Sequence, residues 1–389
     1  MFSGQLIFAQ LMEWFPRHEF NACVRRYRGN YRARDFTCRD QFLCMAFAQL
    51  TFRESLRDIE TCLRSLGPKL YHAGFRGRVS RSTLADANQR RDWRIYRDFA
   101  QVLIAKARKL YVDDRFGVEL EHTAYALDAT TIDLCLTLFP WAPFRRRKAA
   151  VKLHTLLDLR GSIPTVIRVS SGKTHEVNLL DELAVEPGAF YVMDKAYLDF
   201  ARLFRLDQQA GFFVIRAKAN QAYLRQESRF VDKSTGLRSD QSIVLTGPLV
   251  SQKYPQPLRR VSFYDREHRR KLSFLTNNFM LPALSVAQLY RCRWQIELFF
   301  KWIKQHLRIK AFYGNSAHAV KTQVWIAVSM YLLVAILKKE LGSERSLAEI
   351  LQILSVNPFE KTPLTQLLST FSNQNQPTPN PNQLRLFDF

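Results

Sequence analysis

The sequence has few cysteines and few acidic residues for its length. Six Cys occur among 389 residues, and none forms a Cys-x-x-Cys or a Cys/His cluster, so neither a zinc module nor a disulfide framework is indicated. We expect reduced thiols, as in a cytosolic protein. Asp and Glu number 35 against 58 Lys and Arg, which gives a formal net charge of +23. Such an excess favours a polyanionic partner, and nucleic acid is a better candidate than an anionic membrane.

The sequence also lacks a long hydrophobic run. The most apolar run, Val324 to Leu337, has 14 residues. A spanning helix needs roughly 20, so the run predicts a helix buried in the protein. The first residues, MFSGQLIFAQLMEWF, lack the basic segment and the small-residue cleavage site of a signal peptide. We therefore expect a cytoplasmic, nucleoid-associated protein with no membrane partner.

The two ends of the sequence differ in composition from its middle. Residues 1–115 have apolar residues at helical spacing, with Arg and Lys on the other faces. This pattern suits an all-α DNA-binding domain, and an ordinary helical bundle with solvated Arg explains it equally well. Residues 346–389 form a C-terminal region, for which a Pro/Asn/Gln-rich composition predicts disorder from about residue 371.

The middle of the sequence predicts an α/β core. Residues 116–220 give the order β-β-β-α-β-α-β, in which the first three strands form a meander. Residues 221–280 contain short β runs between polar turns and predict a β-rich insertion. Residues 281–345 return to helical spacing and complete the core with a helix that bears a glutamate.

The stretch from Leu284 to Leu307 predicts that helix, with two distinct faces. Ser285 followed by Gln288 predicts a capping box at its start. One face is an apolar stripe at helical spacing, formed by Leu289, Cys292, Ile296, Phe299, Phe300, Ile303 and Leu307. A second stripe, about 110° away, sets one carboxylate among cations and a phenol. Its members are Tyr290, Arg293, Glu297, Lys301 and Lys304.

The second stripe has two interpretations. It can be a solvated face with ion pairs between residues four apart. It can also be a metal-binding carboxylate flanked by groups that hold phosphate. The rest of the sequence has to decide between them.

Two further carboxylates stand out by position. Asp128 is predicted at the end of the first strand, and Asp194 at the carboxyl end of the fourth. The first and fourth strands can lie side by side at the centre of the sheet, which would make these acids neighbours. Clustered carboxylates suit hard cations such as Mg²⁺, and two ions about 3.5–4 Å apart can activate and stabilise the oxygens of a phosphodiester displacement. Each acid alone can also be a turn-former, and Asp133, Asp158 and Asp199 remain competitors.

These residues resemble the DDE transposases of bacterial insertion sequences. The resemblance is to the group named for its Tyr, Arg, Glu, Lys signature (insertion sequence family four). The signature Y-x2-R-x3-E-x6-K is met by Tyr290, Arg293, Glu297 and Lys304. The family's two Asp blocks are matched by Asp128-Ala129-Thr130-Thr131 and by Asp194-Lys195-Ala196-Tyr197-Leu198-Asp199. Lys195 and Ala196 replace the Arg and Gly that are usual in the second block.

The resemblance implies an RNase H-like α/β fold, with a mixed sheet, a β-rich insertion and an all-α N-terminal domain. It implies that Asp128, Asp194 and Glu297 form a catalytic triad that binds two Mg²⁺ ions, for which Mn²⁺ can substitute. Tyr290, Arg293 and Lys304 would hold phosphates of the DNA. Charge and position add further candidate DNA contacts, which are Lys301, Lys195, Tyr197, Arg145, Arg146, Arg147 and Lys148. Solvated charge explains Lys301 at least as well, and loop packing is the competing interpretation of Lys195 and Tyr197.

The implied function is cut-and-paste DNA transposition. The protein would bind terminal inverted repeats, hydrolyse phosphodiester bonds at the element ends and join the 3′-hydroxyls to target DNA. The resemblance also implies a homodimer in the complex with double-stranded DNA. Two alternatives stay open: an inactive or domesticated sequence-specific DNA-binding protein, and a nuclease of the same fold that cuts without strand transfer.

Overall fold

A computed structural model of the protein describes residues 4–145, 148–306 and 312–369. The chain begins with helices, as predicted. Those before the first strand are α1 (Ile7–Leu11), α2 (Arg17–Arg26), α3 (Cys38–Leu50), α4 (Leu56–Ser65), α5 (Lys69–His72), α6 (Arg81–Arg90) and α7 (Arg94–Leu110). Polar caps start several of them. Thr37 and Asp40, for example, form a capping box that satisfies free N–H groups at the start of α3.

A mixed sheet follows the helices and confirms the predicted fold class. Its strands are β1 (Ala124–Leu134), β2 (Pro143–Arg145), β3 (Lys148–Asp158), β4 (Ile163–Ser171), β5 (Phe190–Met193), β6 (Phe212–Arg216), β7 (Tyr223–Arg229), β8 (Leu237–Leu245), β9 (Leu258–Asp265) and β10 (Arg270–Thr276). At its centre the strands run β4-β3-β1-β5-β6, with an antiparallel meander followed by parallel pairing of β1, β5 and β6. Helix α8 (Phe200–Gln208) makes the crossover from β5 to β6.

The β-rich stretch extends this same sheet. Strand β10 pairs antiparallel with β6, and β9, β8 and β7 continue outward in that order. A short helix, α9 (Pro248–Lys253), lies between β8 and β9. The predicted first and fourth strands, β1 and β5, are direct neighbours, as the sequence suggested.

The strand register brings the two aspartates together. Leu127 pairs with Met193 across β1 and β5, so Asp128 and Asp194 come next along adjacent parallel strands. Asp128 was expected at the end of its strand, and this expectation is wrong. Strand β1 runs on to Leu134 because β3 is equally long and supplies it with partners, whereas β5 stops before Asp194.

The helix predicted from Leu284 to Leu307 is two helices, α10 (Ala283–Cys292) and α11 (Trp294–His306). The capping box at Ser285 is wrong, because Pro282 occupies the cap position and the helix begins before the serine. Arg293 joins the two helices through backbone hydrogen bonds that each span three residues. Its N–H donates to the carbonyl of Tyr290, and its carbonyl accepts from the N–H of Ile296. Leu307 lies outside the described residues.

The apolar stripe of this segment faces the core. Leu289, Ile296, Phe299, Phe300 and Ile303 are buried, as predicted, and Cys292 is half-buried. Their packing fixes the side of the sheet that α10 and α11 cover.

The C-terminal helices are α12 (Ala317–Glu340), α13 (Leu347–Val356) and α14 (Leu364–Leu368). By length and composition α12 could cross a membrane, but 94% of its most apolar window is buried inside the protein. It packs against α3, α6 and α7, so the prediction of a buried helix is confirmed. The residues predicted to be disordered, from about 371, lie outside the described part of the chain.

Candidate active site

Arg293, at the joint of α10 and α11, lies between two carboxylates. Its Nη1 donates to Oδ2 of Asp128 at 2.9 Å, and its Nη2 donates to Oε1 of Glu297 at 2.5 Å. The side chains are largely withdrawn from solvent, with exposed fractions of 15% for Arg293, 19% for Asp128 and 34% for Glu297. One predicted phosphate ligand therefore connects two members of the predicted triad.

Tyr290 contacts the third acid. Its hydroxyl donates to Oδ1 of Asp194 at 3.2 Å. The ring packs on Phe274, with centroids 4.6 Å apart, and the guanidinium of Arg293 lies 5.9 Å from its centroid. Burial, and then the negative charge of Asp194, raises the pKa of Tyr290 to about 12, so the phenol keeps its proton at neutral pH.

Burial dominates the electrostatic environment of Asp128, even though Arg293 lies beside it. Burial raises its pKa to about 6, and the charges of Glu176 and Glu297 act in the same direction. The N–H of Ala129, which donates to Oδ1 at 2.8 Å, and the charge of Arg293 lower the pKa but do not compensate. A cation bound beside Asp128 would relieve this imbalance.

Lys304 completes the four signature residues. Its Nζ donates to the backbone carbonyl of Thr131 at 2.9 Å, farther along β1 than Asp128. The structure thus brings Tyr290, Arg293, Glu297 and Lys304 to the part of the central strands β1 and β5 where Asp128 and Asp194 lie. The two-stripe pattern of the sequence predicted this arrangement.

Other predicted DNA contacts lie elsewhere. Lys301 is exposed and lines a cavity of about 870 Å³ between α11 and the C-terminal helices, together with Lys338 and Lys339. The helical rotation of about 100° per residue carries it past Glu297, away from Arg293. Lys195 is exposed directly after Asp194.

Tyr197 requires a correction. It was proposed to touch DNA, but its side chain is completely buried in the apolar layer on the other face of the sheet. The short 3₁₀ turn Lys195–Tyr197 directs the ring inward, so its side chain is not available at the protein surface.

The basic run before β3 is described in part. Arg145 and Lys148 are exposed partners across the turn between β2 and β3. The guanidinium of Arg145 lies 5.1 Å from the ring centroid of Phe144. Arg146 and Arg147 lie outside the described residues.

The competing acids have other roles. Asp158 is buried and pairs with Arg108, with Oδ2 and Nε 3.3 Å apart. Asp199 caps the start of α8 and pairs with Arg202 at 2.8 Å. Asp133 is exposed farther along β1. None of these contacts involves Arg293.

Two neighbours of Asp128 escaped the sequence reasoning. Thr155 is its cross-strand partner on β3 and is completely buried, and within the described residues its Oγ1 has no hydrogen-bond partner. Glu176 forms an ion pair with Lys152 at 3.2 Å, and its charge raises the pKa of Asp128. Only the register of β1 with β3 reveals Thr155, and nothing in the sequence distinguishes Glu176 from other acids.

The acids fit a hard divalent cation by donor type. Asp128, Asp194 and Glu297 offer carboxylate oxygens, which Mg²⁺ and Mn²⁺ accept. Their oxygens are spread too widely to form one compact ligand set. Among the described residues, the three-member group with ligand atoms within 4.8 Å of one another is Asp265, Glu267 and His268, at the turn after β9. Arg293 explains the spread, since its guanidinium occupies the space between Asp128 and Glu297.

Comparison with known proteins decides the family. Residues 119–333, over half of the chain, match the Transposase DDE domain family. The chain belongs to this DDE transposase family. Residues 3–76 of the transposase match a second family, described as Domain of unknown function (DUF4372).

Similar proteins carry transposase names as well. The chain is 32% identical over 256 residues to a putative transposase, y4zB, of Sinorhizobium fredii, which covers 65% of this chain and 70% of the relative. It is 30% identical over 210 residues to a probable transposase for insertion sequence element IS5377 of Geobacillus stearothermophilus, and the alignment covers 54% of this chain and 55% of the relative. A putative transposase for insertion sequence element IS4SA of Synechocystis is 24% identical over 333 residues, and the alignment covers 83% of this chain and 90% of the relative. The chain is therefore a transposase of the bacterial insertion-sequence type.

A search of solved structures also aligns the transposase with a known complex. It is the cryo-EM structure of the piggyBac transposase synaptic complex with hairpin DNA. The alignment covers 95% of this chain and 81% of that chain, with a TM-score of 0.47 and 10% identity.

Proposed function

We propose that this transposase cuts the ends of its own insertion sequence and joins the freed 3′-hydroxyls to target DNA. We also propose that it belongs to the group of transposases named for the Tyr, Arg, Glu, Lys signature. The observation that carries the proposal is the position of the acids. Asp128 and Asp194 lie on adjacent parallel strands, and Arg293 connects Asp128 to Glu297 on α11. A DNA-binding protein without catalysis has no need of three carboxylates that repel phosphate.

The three acids would hold two Mg²⁺ ions, and Mn²⁺ would substitute. Such ions supply the charge that activates the attacking oxygen and stabilises the leaving oxygen of a phosphodiester. Asp128 and Asp194 present their oxygens from a rigid sheet, and Glu297 presents its own from a helix anchored by buried Ile296 and Phe300. Elements of this kind hold a site more precisely than loops do.

Arg293 would exchange partners during the reaction. It pairs with Asp128 at 2.9 Å and with Glu297 at 2.5 Å, so it partly neutralises both carboxylates. When divalent cations occupy the acids, its planar fork of donors is free to bind a DNA phosphate in a bidentate manner. Tyr290 and Lys304 would hold neighbouring phosphates of the transposon end.

The remaining predicted contacts would lie along the DNA backbone. Lys195 is exposed beside Asp194, and Arg145 and Lys148, with Arg146 and Arg147 between them, flank the turn before β3. The net charge of +23 suits long double-stranded DNA, both terminal inverted repeats and target. We propose that a homodimer holds two DNA ends and that the protein works at the nucleoid in the cytoplasm.

The test is end cleavage by Glu297→Gln. Wild type and variant would be incubated with Mg²⁺ and a labelled duplex carrying the element's own end. We expect both to bind and only wild type to cut, because the amide lacks the charge that holds the metal. Glu60→Gln is the matched control, since Glu60 also pairs with an arginine four residues away on a helix, Arg64 at 2.9 Å.

The outcomes separate the alternatives. Equal cutting by wild type and Glu297→Gln would make Glu297 a solvated helix residue. Cutting without joining to a target plasmid would favour the nuclease. Binding without cutting by wild type would favour the DNA-binding relative.

A further inference from the structure

A cavity in the N-terminal helices has no assigned role. It has a volume of about 370 Å³ and lies between α2, the start of α3 and the segment after α5. Its lining consists of Phe15, Arg17, Phe20, Asn21, Asn30, Thr37, Arg39 and Arg76. Three of these side chains are cationic and none is acidic, so the lining carries a net positive charge.

The three arginines lack compensating acids. In the described part of the chain, none of Arg17, Arg39 and Arg76 forms an ion pair within 4.0 Å. The neighbouring acid Asp40 already accepts from the N–H and the hydroxyl of Thr37 in the capping box of α3. Burial and the positive charges of Arg17 and Arg76 hold the pKa of Arg39 below its ordinary value, despite Asp40.

Arg39 is held in place by the backbone. Its Nη1 donates to the carbonyl of Gly74 at 3.0 Å, and its buried Nε has no hydrogen-bond partner within the described residues. Gly74 has φ +90°, and a Cβ at this residue would lie 3.3 Å from Nη2 of Arg39. Glycine therefore allows both the turn and the close approach of the guanidinium. The guanidinium is therefore held in one place at the wall of the cavity, and the described residues satisfy it only in part.

The other walls of the cavity suit an anion too. Phe15 and Phe20 are buried and give the cavity a rigid apolar side. The first turn of α3, a 13-residue helix, begins at this cavity with Thr37 and Arg39, and a helix N-terminus adds partial positive charge. Asn21 supplies an amide that can donate a hydrogen bond.

We propose that this cavity binds a phosphate group of the DNA backbone. The proposal rests on the proposed function, which supplies DNA as the ligand. A phosphate accepts from several arginine forks at once, and the volume exceeds what a single phosphate needs. A polymer of phosphates fits better than a free anion, because exposed Arg25 and Arg28 continue the positive charge from α2. The cavity lies within residues 3–76, the segment that matches a family of unknown function.

The test compares DNA binding of wild type, Arg39→Gln, Arg17→Gln and Arg76→Gln by fluorescence anisotropy of a labelled end duplex. Salt would be varied between about 50 and 200 mM. Each variant should weaken binding about tenfold and lower the slope of log K against log salt by about 1. Arg26→Gln is the control, because it removes an equal charge from α2 that Asp98 already pairs at 2.6 Å. It should keep the wild-type slope.

Two results would overturn the proposal in different ways. Arg17 and Arg76 are exposed, so their variants should fold even if Arg39→Gln does not. Wild-type slopes in both would remove the cavity from the DNA interface and leave the proposed function intact. If wild type binds no DNA, while inorganic phosphate raises its melting temperature but not that of Arg76→Gln, the ligand is a free anion. In that case the proposed function fails as well.

Discussion

Replacing Arg293 by glutamine tests the electrostatics of the candidate site most directly. This arginine is the cation that bridges Asp128 and Glu297. Glutamine keeps most of the side-chain volume but removes the charge and one arm of the fork. Asp128 and Glu297 would then face one another, with Asp194 and Glu176 nearby, and no arginine between them.

The size of the effect follows from the two hydrogen bonds. A hydrogen bond to a charged group contributes about 1.5–3 kcal/mol when it is buried. Glu297 is about one-third exposed, at 34%, so its share is discounted for solvent screening. The sum is about 2–3 kcal/mol of lost stability in the absence of divalent metal. Mg²⁺ should restore part of the lost stability, because it would bind the carboxylates of the variant more tightly than those of wild type, where the Arg293 guanidinium competes with it. A tenfold gain in affinity corresponds to about 1.4 kcal/mol at saturating metal.

The assay is the melting temperature of wild type and Arg293→Gln, each with increasing Mg²⁺ and no DNA. We expect a lower melting temperature for the variant without metal and a larger rise with metal. Arg202→Gln is the matched control, because Arg202 also bridges two carboxylates, Asp181 at 2.7 Å and Asp199 at 2.8 Å, away from the site. An equal Mg²⁺ response in wild type and Arg293→Gln would refute the idea that the arginine occupies the place of the metal.

Two further substitutions test other parts of the structure. Tyr290→Phe removes the hydroxyl that contacts Asp194 at 3.2 Å. End cleavage should fall about tenfold, while the free energy of unfolding changes by about 1 kcal/mol or less. Cleavage at the wild-type rate would show that this contact has no part in the reaction. Burial lowers the pKa of His154 from 6.5 to about 4, so the unfolded chain binds more protons between these values. Stability should therefore fall by about 2–3 kcal/mol as pH drops from about 6.5 to 4. His154→Asn should flatten this dependence in urea titrations, and an unchanged slope would place the titrating group elsewhere.

The sequence predicted the order of the sheet better than its details. Apolar β runs with a hairpin signal were enough to expect a meander and then parallel strands, and β1 and β5 are indeed neighbours. The exact position of Asp128 within β1 depended on the length of β3, which alternation alone does not give. The start of α10 depended on Pro282, whose fixed φ competes with the Ser285 capping signal and prevails.

In the candidate site, too, the sequence predicted some positions and missed those that depend on packing between elements. Helical spacing placed Tyr290, Arg293, Glu297 and Lys304 on one surface because it counts rotation along a single helix. It also placed Lys301 there, at the edge of the stripe, and the structure shows that this edge lines a cavity with residues of α12 and α13. Tyr197 was taken for a DNA contact since a motif shows residue type but not which way a short 3₁₀ turn directs a ring. Thr155 joins the site only through pairing between strands.

The joint at Arg293 shows why the two-helix form matters for chemistry. In one uninterrupted helix, Arg293 and Glu297 would face the same way as an ordinary surface pair four residues apart. The structure instead tightens the backbone at Arg293 and starts α11 at Trp294, so the guanidinium spans from Glu297 on the helix to Asp128 on the sheet. Trp294, the first residue of α11, is 58% exposed beside it. The joint therefore sets one arginine against carboxylates from two different elements, Asp128 on a strand and Glu297 on a helix.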